Sequence, residues 1–207
     1  MTILLISASP HANGATKRAL EECESVLNGH GVKTSYFYIG NEPRYACTAC
    51  GKCKSGKGCV YADLDELKDA IKQSDGIIIG TPTHYGGAPG NLLALLSRLI
   101  FSAGSLIEYK PVAVIGAGRR GAVCTAISEI LRFFEFKSCP LVTGGYPALI
   151  YGTDYDLAGF DAEGLQNMRS IAENMYWIAS AIKIADKYGV SHPIAEPKIK
   201  TDISSLL

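Results

Sequence analysis

The chain has 207 residues, nearly half of them apolar, and its 20 basic and 20 acidic side chains cancel to a formal net charge of zero. That length carries one ordinary domain whose core needs no disulfide or metal staple. The balanced charge argues against a nucleic-acid or electrostatic membrane binder, and no apolar run approaches the ~20 residues that span a bilayer.

The first residues, Met1-Thr2-Ile3-Leu4-Leu5-Ile6, turn polar without a basic region before them, unlike a secretory leader. Thr2–Ser7 reads as a buried strand. The loop after it, Ser7-Ala8-Ser9-Pro10-His11-Ala12-Asn13-Gly14-Ala15-Thr16, feeds straight into an amphipathic helix over Thr16–Leu27 that Asn28-Gly29 ends. Hydroxyls at Ser9 and Thr16, a permissive Gly14 and free N–H groups at a helix start suit a phosphate monoester. A polar turn whose serines and asparagine merely cap the helix fits the same residues. Neither G-x-G-x-x-G nor G-x-x-x-x-G-K-[ST] occurs here, so no dinucleotide fingerprint or nucleotide P-loop is supported.

Val32–Ile39 is strand-like, rich in β-branched and aromatic residues. Beyond it Cys47, Cys50, Cys53 and Cys59 are spaced C-x2-C-x2-C-x5-C. Few structures other than a metal centre need four thiols so close together, and the spacing is near that of compact [4Fe–4S] runs. A zinc site also takes four cysteines, but its ligand pairs are usually split by a long spacer. A metal-free or disulfide-forming loop is a third possibility. Lys52, Lys54 and Lys57, interleaved with the thiols, would offset the charge of a bound cluster or simply face solvent. The other cysteines, Cys23, Cys124 and Cys139, read as small buried apolar residues, and the cysteine usage as a whole fits a reducing cytoplasm.

Asp63, with Glu66 three positions on, predicts a capping box opening a helix to about Ser74. Gly76–Gly80 is a short core strand, followed by Thr81-Pro82-Thr83-His84-Tyr85-Gly86-Gly87-Ala88-Pro89-Gly90. Aromatic rings hemmed in by proline and glycine can lie along a flat ligand, or form an ordinary turn with two surface rings. Pro89 is placed as the first residue of a helix through Phe101. Pro111 introduces a strand at Val112–Ile115, and Gly116-Ala117-Gly118-Arg119-Arg120-Gly121 forms a third permissive loop. A helix over Ala122–Phe136, a fifth strand at Pro140–Thr143 and a long helix from Asp161 to about Tyr188 complete the order.

Five strands alternating with helices predict an α/β fold, a parallel sheet in the order 2-1-3-4-5 covered on both faces. One domain over residues 1–190 carries it, and residues 191–207 form a tail with two prolines. Ligands of such sheets bind at the carboxyl ends of the strands, where the three loops lie.

Taken together, the Ser-Pro loop, Pro82–Gly86, Gly116–Gly121, the cysteine run and the segment Asp161-Ala162-Glu163-Gly164-Leu165 resemble the iron–sulfur flavoproteins of the flavodoxin-like NADPH-dependent FMN reductase superfamily. The resemblance implies a flavodoxin-like three-layer α/β/α sandwich and FMN at the strand ends. Its phosphate would lie on Ser7, Ser9, His11, Asn13, Gly14, Ala15 and Thr16. Its ring would be bordered by Pro82, Thr83, His84, Tyr85 and Gly86, with Gly116, Ala117, Gly118, Arg119 and Gly121 along the other edge. A [4Fe–4S] cluster would sit on Cys47, Cys50, Cys53 and Cys59. It further implies a homodimer or homotetramer with FMN near a subunit interface. Electrons would pass between NAD(P)H or a ferredoxin-like protein and an acceptor, with no side chain required as general acid or base. The sequence departs from these relatives at His11, where they often carry arginine, at Ala15, where they often carry asparagine, and at His84-Tyr85, where a tyrosine usually precedes another ring. The phosphate is thereby expected to lack a formal charge beside it. Two other readings use the same residues: an NAD(P)H-dependent reductase of flavin, quinone, azo or nitro compounds working with FMN alone, and a thiol sensor with little cofactor.

Overall fold

Strands whose apolar residues run without a polar break need cover on both faces, and helices supply it in the computed structural model, which describes residues 1–197 and 199. β1 (Thr2–Ser7), β2 (Lys33–Tyr38), β3 (Gly76–Pro82), β4 (Val112–Gly118) and β5 (Leu149–Tyr151) form one parallel sheet in the order β2-β1-β3-β4-β5, as expected. Successive side chains of a strand point to opposite faces, so each strand feeds two cores. On one face Ile3, Leu5, Ile78 and Ile115 meet α1 (Ala15–Gly29) and α6 (Ala162–Lys187). On the other, Leu4, Ile6, Ile77, Ile79 and Val114 meet α2 (Asp65–Lys72), α3 (Gly90–Ala103) and α4 (Val123–Glu135). A single turn, α5 (Tyr155–Ala158), precedes α6. The result is the three-layer α/β/α arrangement of a flavodoxin-like fold.

Two glycines of the third permissive loop are part of β4 rather than of a loop. A Cβ on Gly116 would stand 2.4 Å from Val123 Cγ1, and one on Gly118 2.7 Å from Val123 Cγ2. Their bareness therefore lets α4 lie directly on the strand. The same holds for Gly80, where a Cβ would come within 2.8 Å of Thr16 Cγ2, so α1 begins close against β3.

Four expectations need correcting. The fifth strand is Leu149–Tyr151, not Pro140–Thr143. Residues 140–142 do lie along β4, with Val112 N donating to Pro140 O (2.9 Å) and Val142 N to Val112 O (2.8 Å). The chain then leaves the edge through Gly144, Gly145 and Pro147, which cannot sustain a ladder, and returns where Gly116 N donates to Ala148 O (2.7 Å). Asp63 does not cap α2, because its carboxylate is committed to Arg98 and Arg44. Cys124 is exposed near the start of α4, whereas Cys23 and Cys139 are buried as expected. Pro89 lies one residue ahead of α3, a shift of one position from its expected place. Of the tail, residues 191–197 and 199 form no helix or strand, and the rest of it lies outside the described residues.

Asp161 opens α6 as predicted, and it does more than cap. One carboxylate oxygen accepts from Gly164 N (2.9 Å) and the other from Tyr151 N (2.7 Å), tying β5 to the helix. Asp161→Ala is expected to cost about 1–2 kcal/mol in urea unfolding, with Asp161→Asn retaining most of the loss; equal midpoints for all three proteins would contradict this.

Candidate functional site

The carboxyl ends of the strands open onto the start of α1. Gly14 stands at its N-cap and contributes no side chain, and the first turn holds no acidic residue, so the opening N–H groups of the helix have no side-chain partner. Ser7, Ser9 and Thr16 are buried beneath the loop, and Ser9 Oγ accepts from His11 N at 3.1 Å, fixing the turn. His11, Ala12 and Asn13 are exposed above it, and Ala15 is buried as the first helical residue. Lys17 Nζ reaches both Asn13 Oδ1 and Glu21 Oε1 at 3.4 Å, which places an ammonium paired with a carboxylate at the rim of the loop. Sequence reasoning passed over it because a lysine on an amphipathic helix looks like any solvated one.

The loop after β3 is a tight hairpin. His84 and Gly87 exchange N–H···O bonds of 2.9 and 3.0 Å, while Tyr85 (φ 49°) and Gly86 (φ 87°) take left-handed conformations between them. Two positive φ angles in the central positions define a type I′ turn, and a tyrosine held there is strained in a way that collects at ligand sites. Its ring is fully exposed. From α4, Glu129 anchors the far side of the hairpin by accepting from Ala88 N at 2.7 Å. Thr83 N is tied to Ala117 O (3.0 Å), yet the buried Thr83 Oγ1 has no hydrogen-bond partner. A buried hydroxyl left unpaired is costly, and a polar ligand edge beside it would complete it. Pro82 and Gly86 are half-buried, His84 is exposed, and Arg119 and Gly121 are exposed beyond β4. Gly116 and Ala117 lie inside the strand, where they pack rather than face the loop.

The cysteine run leaves β2 at this same end of the sheet and folds back along α3. Its backbone turns left-handed in every gap between cysteines: Ala49 (φ 53°), Gly51 (φ 74°), then Gly56 (φ 78°) and Gly58 (φ 68°). Cys47, Cys50, Cys53 and Cys59 all line one pocket, together with Tyr61, Arg98 and Phe101. Four sulfurs around a cavity fit a multi-iron cubane, in which each thiolate binds its own iron. A single zinc ion needs all four within about 2.3 Å of one point; among the described residues no three His, Cys, Asp or Glu side chains are grouped closely enough to hold a metal ion, so the pocket gathers the cysteines without closing them into a ligand set.

The strongest cation at this pocket is not one of the interleaved lysines, which are exposed. It is Arg98, only 2% exposed in an otherwise apolar stretch of α3. Its two terminal nitrogens fork onto the Asp63 carboxylate, the Nη2 bond being 2.8 Å, and Asp63 also accepts from Arg44 Nη1 at 3.3 Å. Hydrogen bonding from Arg98 holds the Asp63 carboxyl below the ordinary carboxylate range, against burial that pushes it up and with help from Arg44. The lone charge within Leu-Leu-Ser-Arg-Leu-Ile was the available signal for Arg98, but only the packing of α3 gives it a partner.

Known proteins resemble this chain in sequence and in fold. The family model described as NADPH-dependent FMN reductase matches residues 1–149, from β1 to the start of β5. An iron–sulfur flavoprotein of Methanocaldococcus jannaschii is 29% identical over 88% of this chain and 100% of its own. An iron–sulfur flavoprotein of Methanosarcina thermophila is 27% identical over 84% of this chain and 93% of its own. Among solved structures, RosB with bound 8-demethyl-8-formylriboflavin-5′-phosphate superposes with a TM-score of 0.72 at 11% identity, covering 98% of this chain and 92% of that one. A flavodoxin of Streptococcus pneumoniae superposes at 0.58 and 14% identity, over 86% of this chain and 99% of that one. At these identities the structural matches show a shared fold.

The Asp63 pairing has a definite pH sign. A carboxyl whose folded pKa lies below its unfolded value of ~3.9 contributes its stability above that value and loses it as pH falls through the folded pKa. Asp63→Asn is therefore expected to melt lower than the parent at neutral pH and to lose less on acidification. Parallel melting curves down the acid range would contradict the pairing.

Proposed function

The chain belongs to the NADPH-dependent FMN reductase family, in its iron–sulfur flavoprotein group, which makes it a flavin-dependent oxidoreductase; from that premise we propose that it carries electrons between a reduced donor and an acceptor, holding both FMN and a [4Fe–4S] cluster. The observation that carries the proposal is the gathering of all four cysteines around one pocket, with a left-handed residue in each gap. FMN accepts electrons in pairs and releases them singly, and a cluster moves them one at a time, so the pair suits coupling a two-electron donor to a one-electron partner. NAD(P)H and a ferredoxin-like protein are the donor classes that chemistry admits.

In this reading the protein's own residues bind and orient. The uncapped N–H groups at the start of α1, with the Ser9 and Thr16 hydroxyls, donate to the phosphate. Lys17 offsets its charge from the rim. Thr83 Oγ1 would meet a polar edge of the ring, and the Tyr85 hairpin, braced by Glu129, would border it. Cys47, Cys50, Cys53 and Cys59 ligate the cluster. Arg98, which lines the pocket, lies a little over two turns into α3, about 12 Å along the axis from its first residue. Exposed Phe101 and Phe136 support a homo-oligomer. Seven free thiols support a reducing, cytoplasmic setting, and among the described residues no helix is long and apolar enough to cross a membrane.

Anaerobic purification is expected to yield about four irons and one FMN per chain. Cys50→Ser should lose iron and sulfide while keeping FMN and its fold. Wild-type protein without acid-labile sulfide, or full electron transfer by the serine variant, would refute the cluster's role. Lys17→Gln is expected to weaken FMN binding about fivefold, a gap that high salt narrows; unchanged titration curves would remove Lys17 from the site.

A further inference from the structure

Arg98 does more than pair with Asp63. Its Nη1 approaches Cys59 Sγ to 4.0 Å, its guanidinium carbon lies 5.3 Å from the centre of the Tyr61 ring, and its buried Nε has no partner. Tyr61 is stacked in turn on Tyr45, with ring centroids 4.6 Å apart, so the guanidinium is held against an aromatic wall. Asp63 lies between Arg98 and Arg44, and Arg44 is itself fixed by donating to Ile39 O at 2.7 Å. One carboxylate between two guanidiniums leaves a net positive charge against the cysteine pocket. An ion pair built only to join the loop to α3 would need neither the second arginine nor a position on the pocket wall.

Resting on the reading that the four cysteines hold a cluster, we infer that Arg98 is the cluster's fixed counter-charge, acting through Cys59, and that Asp63 and Tyr61 position it. Adding one electron to the cluster adds one negative charge without making or breaking a bond. A cation locked beside one thiolate therefore stabilises the reduced form more than the oxidised form and raises the reduction potential, one of the means by which a protein sets it. Lys54 also lines the pocket, but its exposed ammonium is screened by water and salt. The buried guanidinium is not. Arg98 is thus a positioning and tuning residue rather than a catalytic one.

The test uses the anaerobically purified holoprotein, with EPR-monitored redox titration and with iron and flavin content followed over time. Arg98→Met is expected to lower the cluster's midpoint potential and to lose iron several-fold faster than the parent while FMN content holds. Arg98→Lys should fall between them, because one ammonium cannot serve both Asp63 and Cys59. Both variants at the parental potential would overturn the inference even where melting temperatures fall, since a purely structural ion pair predicts that result. If the methionine variant fails to fold, the lysine variant decides: a lowered potential supports the role and a parental one overturns it. Parental protein lacking iron and sulfide overturns this inference together with the cluster reading beneath it, whereas a loaded parent with unmoved variants overturns this inference alone.

Discussion

Both faces of the sheet are sealed by helices, and this seal is the constraint from which the placement of everything else follows. Residues 3 to 6, 77 to 79 and 112 to 115 are apolar because they are covered from both sides. No polar group can be offered to a ligand from the middle of such a sheet without being orphaned. Chemistry is left to the carboxyl ends of the strands and to the loops that leave them. There α1 begins without a side-chain cap, Thr83 keeps an unpaired hydroxyl and the cysteine run departs from β2.

The glycines show how the seal and the site share residues. Gly80, Gly116 and Gly118 look in sequence like flexible ligand loops, yet each is bare because a helix side chain occupies the space its Cβ would need. Their effect on the site is indirect. By letting α1 and α4 close onto the sheet they set the height of the α1 N-terminus and bring Glu129 to the Ala88 amide. The left-handed residues of the cysteine run act more directly, since each redirects the thiol that follows it.

Much of this was legible before any coordinates. Strand identity, strand order and the capping role of Asp161 follow from apolar runs and local signals, and the cysteine spacing alone pointed to one metal-binding loop. What was not legible depends on contacts between residues distant in sequence. Asp63 carries a convincing capping-box pattern, but Arg98, 35 positions away, claims its carboxylate. Lys17 and Glu129 each sit on a helix face that looks solvated until a loop is folded against it. The fifth strand is hard to place because Pro140-Leu-Val-Thr has the stronger β signal, while the three residues that form it are marked only by the turn that delivers them.

That interrupted edge has a consequence for the protein's solubility. An outer strand with a long row of free amides and carbonyls is a template on which other molecules can add strands, and folded proteins need some device against it. Here the border along β4 is made of two short lengths, residues 140–142 and Leu149–Tyr151, parted by a glycine-rich excursion ending in proline. Neither is long enough to guide a foreign chain into register. The detour that made the strand hard to find also leaves the sheet a margin on which aggregation has little purchase.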